Sequence, residues 1–402
     1  MLHGIKILEY TEMVAGPYCG KLFADLGADV IKIEPPEGDR ARCFGPFPDD
    51  KPHPEKSALF LYNNTSKRGV TLDLNKHAGK DAFKRLLQWA DVLIDNHPNG
   101  HLAQLGFEDA TIQAINPHLI FTCITPYGRT GPREDVKGDE LTIAHAGSLG
   151  NVLPSRSANI DRAPVKPGGS QVGYQSGITA AFVTLAALLG RGKTGKGRII
   201  DISMQEVILG LMRPSITGAR YLRAHWGRVP DRPPAMGRMQ TSDGYLVLGA
   251  VEDHHFGALR EVMGNPSWLA DDRWLIMAYR THHAPEIAPL LDAWMAQQEK
   301  DDIHHKLARR GVPLGPVNSV KDLLENEQYA FRKYFHEVEH PLAGKQKYPG
   351  WPYLMSASPP TVSRPAPLLG QHNEEILCKE IGCSATEFQR LKKSGAFGKT
   401  KR

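Results

Sequence analysis

The chain has 402 residues, of which 41% are hydrophobic and 23% are charged, and these proportions are ordinary for a globular protein. A chain of this length can form two domains and bury a large core without disulfide or metal cross-links. Its 49 basic and 44 acidic residues are too evenly balanced to predict a nucleic-acid-binding protein, whereas the net charge of +5 suits a small anionic ligand.

The N-terminal segment predicts a strand, a helix and a second strand. Ile5–Leu8 has the pattern of a short strand. Gly16 and Pro17 then begin a helix, since proline in the first turn has no N–H group to leave unpaired. The helix ends near Gly27, and Asp29–Glu34 follows as a strand. Two strands joined by one helix in so short a stretch indicate a parallel sheet.

The same pattern continues to about residue 222. The further predicted strands are Val70–Asp73, Asp91–Ile94, Leu119–Thr122 and Arg198–Ser203. The further predicted helices are Gly79–Trp89, Tyr174–Leu189 and Gln205–Leu222. Alternating strands and helices of this kind predict an α/β fold.

The composition then changes. Arg228–Arg238 is rich in proline and arginine and indicates a linker. Ser242–Gly244 predicts the turn of a hairpin, and three helices are expected around Leu259, Leu290 and Ile303, so this region is a smaller α+β unit. The proline-rich stretch Tyr348–Leu369 indicates an extended surface segment, and two short helices follow it.

Five cysteines indicate the compartment: Cys19, Cys43, Cys123, Cys378 and Cys383. Their number is odd, they are widely spaced and no CxxC pair occurs, so we expect reduced thiols and a cytoplasmic protein. The sequence shows no signal-peptide pattern at Met1. Its most apolar segment, Ile178–Leu189, is too short to span a bilayer, and we expect no membrane association.

Several familiar site motifs are missing. The first strand is not followed by GxGxxG, and there is no GxSxG motif for a serine nucleophile. Three adjacent histidine pairs occur, at positions 254–255, 282–283 and 304–305. Neighbouring side chains on a helix diverge by about 100° and share a metal poorly, so we expect surface histidines and no metal site.

The loop between the first strand and its helix is the best candidate for ligand binding. Val14 and Ala15 lie in this loop, just before Gly16 and Pro17. Open parallel sheets bind ligands at the carboxyl ends of their strands, where free helix N–H groups point at anionic groups. The sequence therefore predicts an anion-binding crevice there.

A set of short motifs, in order along nearly the whole chain, resembles the class III CoA-transferases. They are Leu8–Tyr10, Val14–Pro17, Leu26–Glu34, Gly38–Asp39, Asn64–Arg68, Ala90–Asn96, Ala187–Leu189, Thr194–Gly197, Asp201–Glu206, Gly311–Pro313 and Leu369–Asn373. The resemblance implies a Rossmann-like large domain made from both chain ends, residues 1–222 with 330–402. It also implies a smaller domain, residues 223–329, and an interlocked homodimer.

The resemblance also implies the chemistry. In this family an aspartate attacks an acyl-CoA thioester, and coenzyme A passes through an enzyme-bound thioester to an acceptor acid. Acyl-CoA is thus a substrate, a small carboxylic acid is the second partner, and no permanently bound cofactor is expected. By alignment with the family, coenzyme A would contact Val14, Ala15, Leu72, Asn96, Lys137 and Met204.

One position departs from the family pattern. The nucleophilic aspartate lies four residues before the glycine that begins the long helix, here Gly177, and the aligned residue is Gly173. Asp139 and Glu140 lie where the family has active-site residues, and they are the candidate acids. A glycine at position 173 could also reflect a backbone with positive φ.

Three functions are therefore considered. The first is CoA transfer with an altered nucleophile position. The second is acyl-CoA racemisation, for which the resemblance requires a histidine near position 139 and an acid at 173. The third is acyl-CoA binding without catalysis, which the absence of a side chain at Gly173 favours.

Overall fold

The structure is a computed structural model that describes residues 1–154, 159, 161–223, 227–228 and 234–397. The chain forms two compact units. The first contains residues 1–152, 164–226 and 334–402, and the second contains residues 153–163 and 227–333. The second unit therefore includes a short excursion, residues 153–163, that the sequence analysis assigned to the large domain.

The first unit is built on a six-stranded sheet in which every neighbouring pair is parallel. Its strands are β1 Lys6–Tyr10, β2 Asp29–Glu34, β3 Arg68–Thr71, β4 Val92–Asp95, β5 Ile120–Thr125 and β6 Arg198–Ser203. The spatial order is β3-β2-β1-β4-β5-β6, so the order reverses between β1 and β4. The predicted α/β fold with a parallel sheet is confirmed.

Ten helices of this unit lie between the strands and after β6. They are α1 Ala15–Asp25, α2 Ala58–Asn63, α3 His77–Trp89, α4 His101–Gln104, α5 Asp109–Ile115, α6 Glu140–Ala146, α7 Leu149–Val152, α8 Gln171–Thr194, α9 Met204–Leu209 and α10 Arg213–Leu222. The single helix predicted over residues 205–222 is wrong, because a 3₁₀ turn at Gly210–Met212 separates α9 from α10.

The second unit has a three-stranded antiparallel sheet with helices. Its strands are β7 Met236–Thr241, β8 Gly244–Gly249 and β9 Leu314–Pro316, in the order β7-β8-β9. Its helices are α11 Asp253–Val262, α12 Met277–His282, α13 Ala284–Met295, α14 Lys300–Ala308, α15 Val320–Glu325 and α16 Glu327–Phe331. The structure has the predicted hairpin and the three predicted helices, whereas residues 229–233 of the predicted linker lie outside the described residues.

The C-terminal segment returns to the first unit. It contains the hairpin β10 Phe335–His340 and β11 Gly344–Pro349, then the helices α17 Asn373–Glu375, continued by a π-helical turn to Glu380, and α18 Ala385–Lys393. The stretch after β11 has no helix or strand and is mostly exposed or partly exposed, as predicted, and local contacts anchor it. Trp351 donates a hydrogen bond to Asp25 (3.1 Å), and Ala366 is buried.

Each face of the large sheet has its own core. On one face, Leu8, Ile31 and Phe121 pack with α3 and the C-terminal helices. On the other face, Ile7, Val30 and neighbouring side chains pack with α1 and α8. Strands buried on both faces have continuous apolar sequences, which is why most of them were recognisable.

Helix α8 is longer than the apolar segment from which it was predicted. Among the described residues, this 24-residue helix is the one that is long and apolar enough to cross a membrane. The core helix of a water-soluble protein has the same properties, and Ala180 and Ala187 of α8 pack into the core beside the sheet. The observed length therefore corrects the prediction that the apolar segment is too short to span a bilayer. By itself, this length is only weak evidence for a membrane span.

Candidate active site

The candidate site lies where the strand order of the large sheet reverses, between β1 and β4. Parallel α/β sheets bind ligands in the crevice at such a point, outside the carboxyl ends of the strands. The loop Thr11–Val14 follows β1 here and leads into α1, and Asn96 follows β4. The predicted binding loop is therefore at the expected edge of the sheet.

Three side chains hold the backbone of this loop. The Asn96 amide accepts a hydrogen bond from Glu12 N and donates one to Glu12 O, both at 2.8 Å. Lys32 Nζ donates to Thr11 O (2.9 Å), and Asp39 accepts from Met13 N (2.9 Å). Met13 has a φ of 66°, which a non-glycine residue adopts only where its surroundings enforce it. The loop is therefore pre-organised.

A buried network of charges supports the loop from beneath. Lys32 Nζ lies 3.2 Å from Glu9 and 2.9 Å from Asp39, and Lys67 Nζ lies 2.7 Å from Glu9. Burial by itself lowers the pKa of Lys32, but the charges of Asp39 and Glu9 outweigh it and raise that pKa. Burial lowers the pKa of Lys67 to about 8, against the opposing charge of Glu9. Four motifs of the family resemblance thus meet in one structural network.

Three aromatic rings stack beside Asn96, and the sequence analysis did not predict them. The ring centroid of His97 lies 4.1 Å from that of Tyr10 and 4.6 Å from that of His101. His97 Nδ1 is 2.7 Å from Asp95, and Tyr10 Oη is 3.1 Å from His101 Nε2. Burial, followed by the neighbouring His97, lowers the pKa of His101. The sequence NHPNGH, which follows β4 and contains both histidines, is the pattern from which this cluster could have been predicted.

Glu140 and Gly173 are brought together although 33 positions separate them. The two carboxylate oxygens of Glu140 accept hydrogen bonds from Val172 N (2.8 Å) and Gly173 N (3.2 Å). These N–H groups belong to the first turn of α8 and have no acceptor within their own helix. The positive end of the helix dipole also favours a carboxylate there. The candidate acid Glu140 is therefore held against the backbone of Gly173, the residue that aligns with the family aspartate.

Asp139 has a different role. It is the N-cap of α6 and forms a capping box in which it accepts from Thr142 N at 2.8 Å. The hydrogen bonds from the Thr142 backbone and side chain lower the pKa of Asp139. The carboxylate of Asp139 therefore starts α6, whereas the carboxylate of Glu140 accepts from the first turn of α8.

Gly173 is required by packing and not by backbone strain. Its φ is not positive, so that explanation is wrong. A Cβ atom at this position would lie 2.9 Å from both Cβ and Cγ1 of Val14, and one at Gly177 would lie 2.7 Å from Ala15 O. Glycines four residues apart thus let α8 approach the start of α1 closely.

The other residues that align with the family's coenzyme A site lie in several different environments. Val14 and Ala15 lie at the start of α1 and are buried against α8. Lys137 is exposed in the loop before α6. Leu72 is buried in the core of one sheet face, and Met204, the first residue of α9, packs between two apolar clusters. Lys137 is exposed and Asn96 and Met204 are partly exposed, so their contact with coenzyme A stays a prediction.

Comparisons with known proteins agree along the whole chain. Residues 2–373 match the family model described as CoA-transferase family III. The chain is 30% identical to the mouse succinyl-CoA:glutarate CoA-transferase, over 98% of this chain and 90% of that protein. It is also 30% identical to the succinyl-CoA–D-citramalate CoA-transferase of Chloroflexus aurantiacus, over 97% of this chain and 96% of that protein.

A solved structure gives the same result for the fold. A CaiB/BaiF family protein from Brucella suis superposes with a TM-score of 0.83 at 29% identity, covering 94% of this chain and 99% of that one. The sequence resemblance to the class III CoA-transferases is therefore confirmed. Because the family model spans most of its length, the chain belongs to CoA-transferase family III and is an enzyme of this class.

Proposed function

We propose that the protein transfers coenzyme A from an acyl-CoA thioester to a small carboxylic acid, with the Glu140 carboxylate in place of the family aspartate. The observation that carries this proposal is the pair of hydrogen bonds from Val172 N and Gly173 N to Glu140. They hold a carboxylate against the backbone of Gly173, the residue that aligns with the family nucleophile and has no side chain.

The chemistry follows from a fixed carboxylate. A Glu140 oxygen attacks the thioester carbonyl carbon, the carbon–sulfur bond breaks, and coenzyme A leaves as a thiolate. The thiolate then attacks the Glu140 carbonyl of the mixed anhydride, which releases the first acid and leaves a glutamyl thioester. An acceptor carboxylate repeats these steps in reverse order. The α8 N–H group that stays bound to the Glu140 carbonyl oxygen is suited to stabilise the negative oxygen that develops when the thiolate attacks that carbonyl.

The crevice between β1 and β4 is the proposed place for the coenzyme A portion. Val14 and Ala15 form the start of α1 there, with the loop held by Asn96, Lys32 and Asp39. The exposed ammonium group of Lys137 is available for a phosphate. On this proposal acyl-CoA is a substrate and no cofactor stays bound.

A dicarboxylic acid is the proposed acceptor. The mouse relative is named for glutarate and the Chloroflexus relative for D-citramalate, and both of these are dicarboxylic acids. Both names give succinyl-CoA as the donor. Succinyl-CoA with a panel of dicarboxylates is therefore the first substrate set to test.

A homodimer in the cytoplasm is the proposed state. On α8, Ile178, Phe182 and Leu189 share one face and are 45%, 72% and 72% exposed. A second copy of the chain is a suitable cover for such an apolar face, because large exposed apolar patches usually mark interfaces. All five cysteines are free thiols, which suits a reducing compartment.

The test is an exchange assay read by mass spectrometry. The protein is mixed with succinyl-CoA and each dicarboxylate, and we expect a new thioester from at least one pair. Glu140→Gln should lower this rate by at least about 100-fold. Asp139→Asn is the matched control: asparagine caps a helix as well as aspartate, so its rate should stay near that of the natural protein.

Other outcomes separate the alternative functions. Deuterium uptake at the α-carbon of a chiral acyl-CoA without a new thioester would indicate racemisation. Binding of acyl-CoA without any turnover, across the whole panel, would indicate a binding protein. Equal rates for Glu140→Gln and Asp139→Asn would remove Glu140 from the mechanism while leaving CoA transfer in place.

A further inference from the structure

The second unit contains a group of metal-ligating side chains that the proposed function does not use. Glu252, His254 and His255 lie where β8 leads into α11. One ligand atom from each residue can be chosen so that all three lie within 4.8 Å of one another. Only small side-chain rotations are needed for these atoms to surround one cation, whose ligands lie about 2.0–2.1 Å from it.

The two imidazoles converge although they are neighbours in the sequence. Their ring centroids are 4.0 Å apart and the rings are tilted by 49°. His254 Nδ1 lies 3.5 Å from a Glu252 carboxylate oxygen. Two ligands that each sit about 2.0–2.1 Å from a tetrahedral zinc ion are separated by a similar distance. The expectation that adjacent histidines diverge does not hold for this pair.

In the part of the chain that the structure describes, the Glu252 side chain pairs with no residue outside this group. Glu252 is at the N-cap position of α11, yet its side chain makes no capping hydrogen bond. Its neighbour Asp253 is committed elsewhere, because it accepts from Met277 N at 2.8 Å and lies 3.6 Å from Arg280.

The most direct evidence for a bound ligand comes from the His255 ring. Its Nδ1 atom is buried and has no hydrogen-bond partner among the residues that the structure describes. A ring nitrogen removed from water without a partner is unfavourable, and such groups call for a specific explanation. A bound cation would satisfy this atom.

We infer that Glu252, His254 and His255 form a binding site for a divalent transition-metal cation. Two imidazoles and one carboxylate suit Zn²⁺, Ni²⁺ or Cu²⁺, whereas Mg²⁺ and Ca²⁺ require oxygen ligands. Three protein ligands leave at least one coordination position for water. The cation joins the N-cap residue of α11 to the first turn of the same helix.

The full-length protein, stripped of metal with a chelator, is titrated with ZnCl₂ and with NiCl₂ in a calorimeter. His254→Ala is the main variant, because this side chain is 70% exposed and its removal leaves the fold intact. Loss of a directly bound ligand should weaken one binding event by at least about tenfold, since even outer partners of metal ligands are worth 10–100-fold. Glu252→Gln should weaken the same event.

The matched control is the double variant His304→Ala/His305→Ala. These adjacent histidines lie on α14 of the same unit with ring centroids 5.3 Å apart, and in the described part of the chain they belong to no three-ligand group. We expect the control to keep the binding event that His254→Ala loses. A titration that is unchanged by His254→Ala, or that is weakened equally by the control, would overturn the proposal.

Discussion

At the scale of single residues, Gly173 links packing to chemistry. Its missing side chain lets the first turn of α8 rest against Val14, and its N–H group is left to bind Glu140. An aspartate at this position would have to displace Val14 before it could face a substrate. The aligned nucleophile position therefore lies on α8, and the acid proposed to replace it, Glu140, lies on α6.

Gly173→Ala should destabilise the protein by about 1–3 kcal/mol, because the new Cβ atom meets Val14 at 2.9 Å in a packed interior. Gly192→Ala is the control on the same helix, where a Cβ atom meets nothing within 4 Å. Alanine is the better helix former, so this control should be neutral or stabilising by up to about 1 kcal/mol. Urea unfolding measures both, and similar free energies of unfolding for the two variants would contradict the packing account.

At the scale of elements, the loop after β1 depends on side chains from other strands. Asn96 after β4 holds it from one side, and Lys32 and Asp39 hold it from the β2 side. A ligand that binds to the start of α1 therefore meets a backbone already in place. Asn96 supports this backbone through its two hydrogen bonds to Glu12, and its direct contact with coenzyme A stays a prediction.

Asn96→Ala should weaken coenzyme A binding by roughly 10–30-fold, because two partly buried hydrogen bonds worth about 1 kcal/mol each no longer hold the loop. Asn99→Ala is the control: this residue is in the same segment and donates one hydrogen bond, of 3.3 Å, to Arg129 O. Calorimetry with coenzyme A compares the two variants. Equal affinities would show that the Asn96 clamp does not position the binding loop.

Element boundaries show what the sequence allows one to predict. The strands Asp29–Glu34 and Arg198–Ser203 were predicted with the observed bounds, because their apolar runs end at turn residues. The hairpin Phe335–Pro349 was missed, since strands such as FHEVEH and GKQKYP have few apolar residues. The contact between Glu140 and Gly173 could not be predicted from the sequence, because no local pattern relates two residues that lie 33 positions apart on different helices.

At the scale of the whole molecule, the outer face of α8 is an apolar surface that a single chain leaves exposed. Phe182 is 72% exposed at its centre. If a second copy covers this face, Phe182→Glu should place a charge in an apolar interface and shift the protein toward monomers. Lys84→Glu adds an acid on the exposed side of α3 and is the control.

Sedimentation equilibrium across a concentration series gives the oligomeric state of both variants. We expect dimers for the natural protein and for Lys84→Glu, and a lower mean mass for Phe182→Glu. A natural protein that sediments as a monomer in dilute solution would contradict the dimer. The same mass for both variants would show that the dimer uses another face.

The central claim is that Glu140 carries coenzyme A during transfer, and covalent trapping tests it most directly. The protein is incubated with succinyl-CoA, reduced with borohydride and digested for peptide mapping. We predict that Glu140 is converted to the corresponding alcohol, that residues 168–177 stay unmodified, and that Glu140→Gln yields no adduct. Transfer that proceeds while Glu140 remains unmodified would contradict the account and indicate direct attack by the acceptor carboxylate.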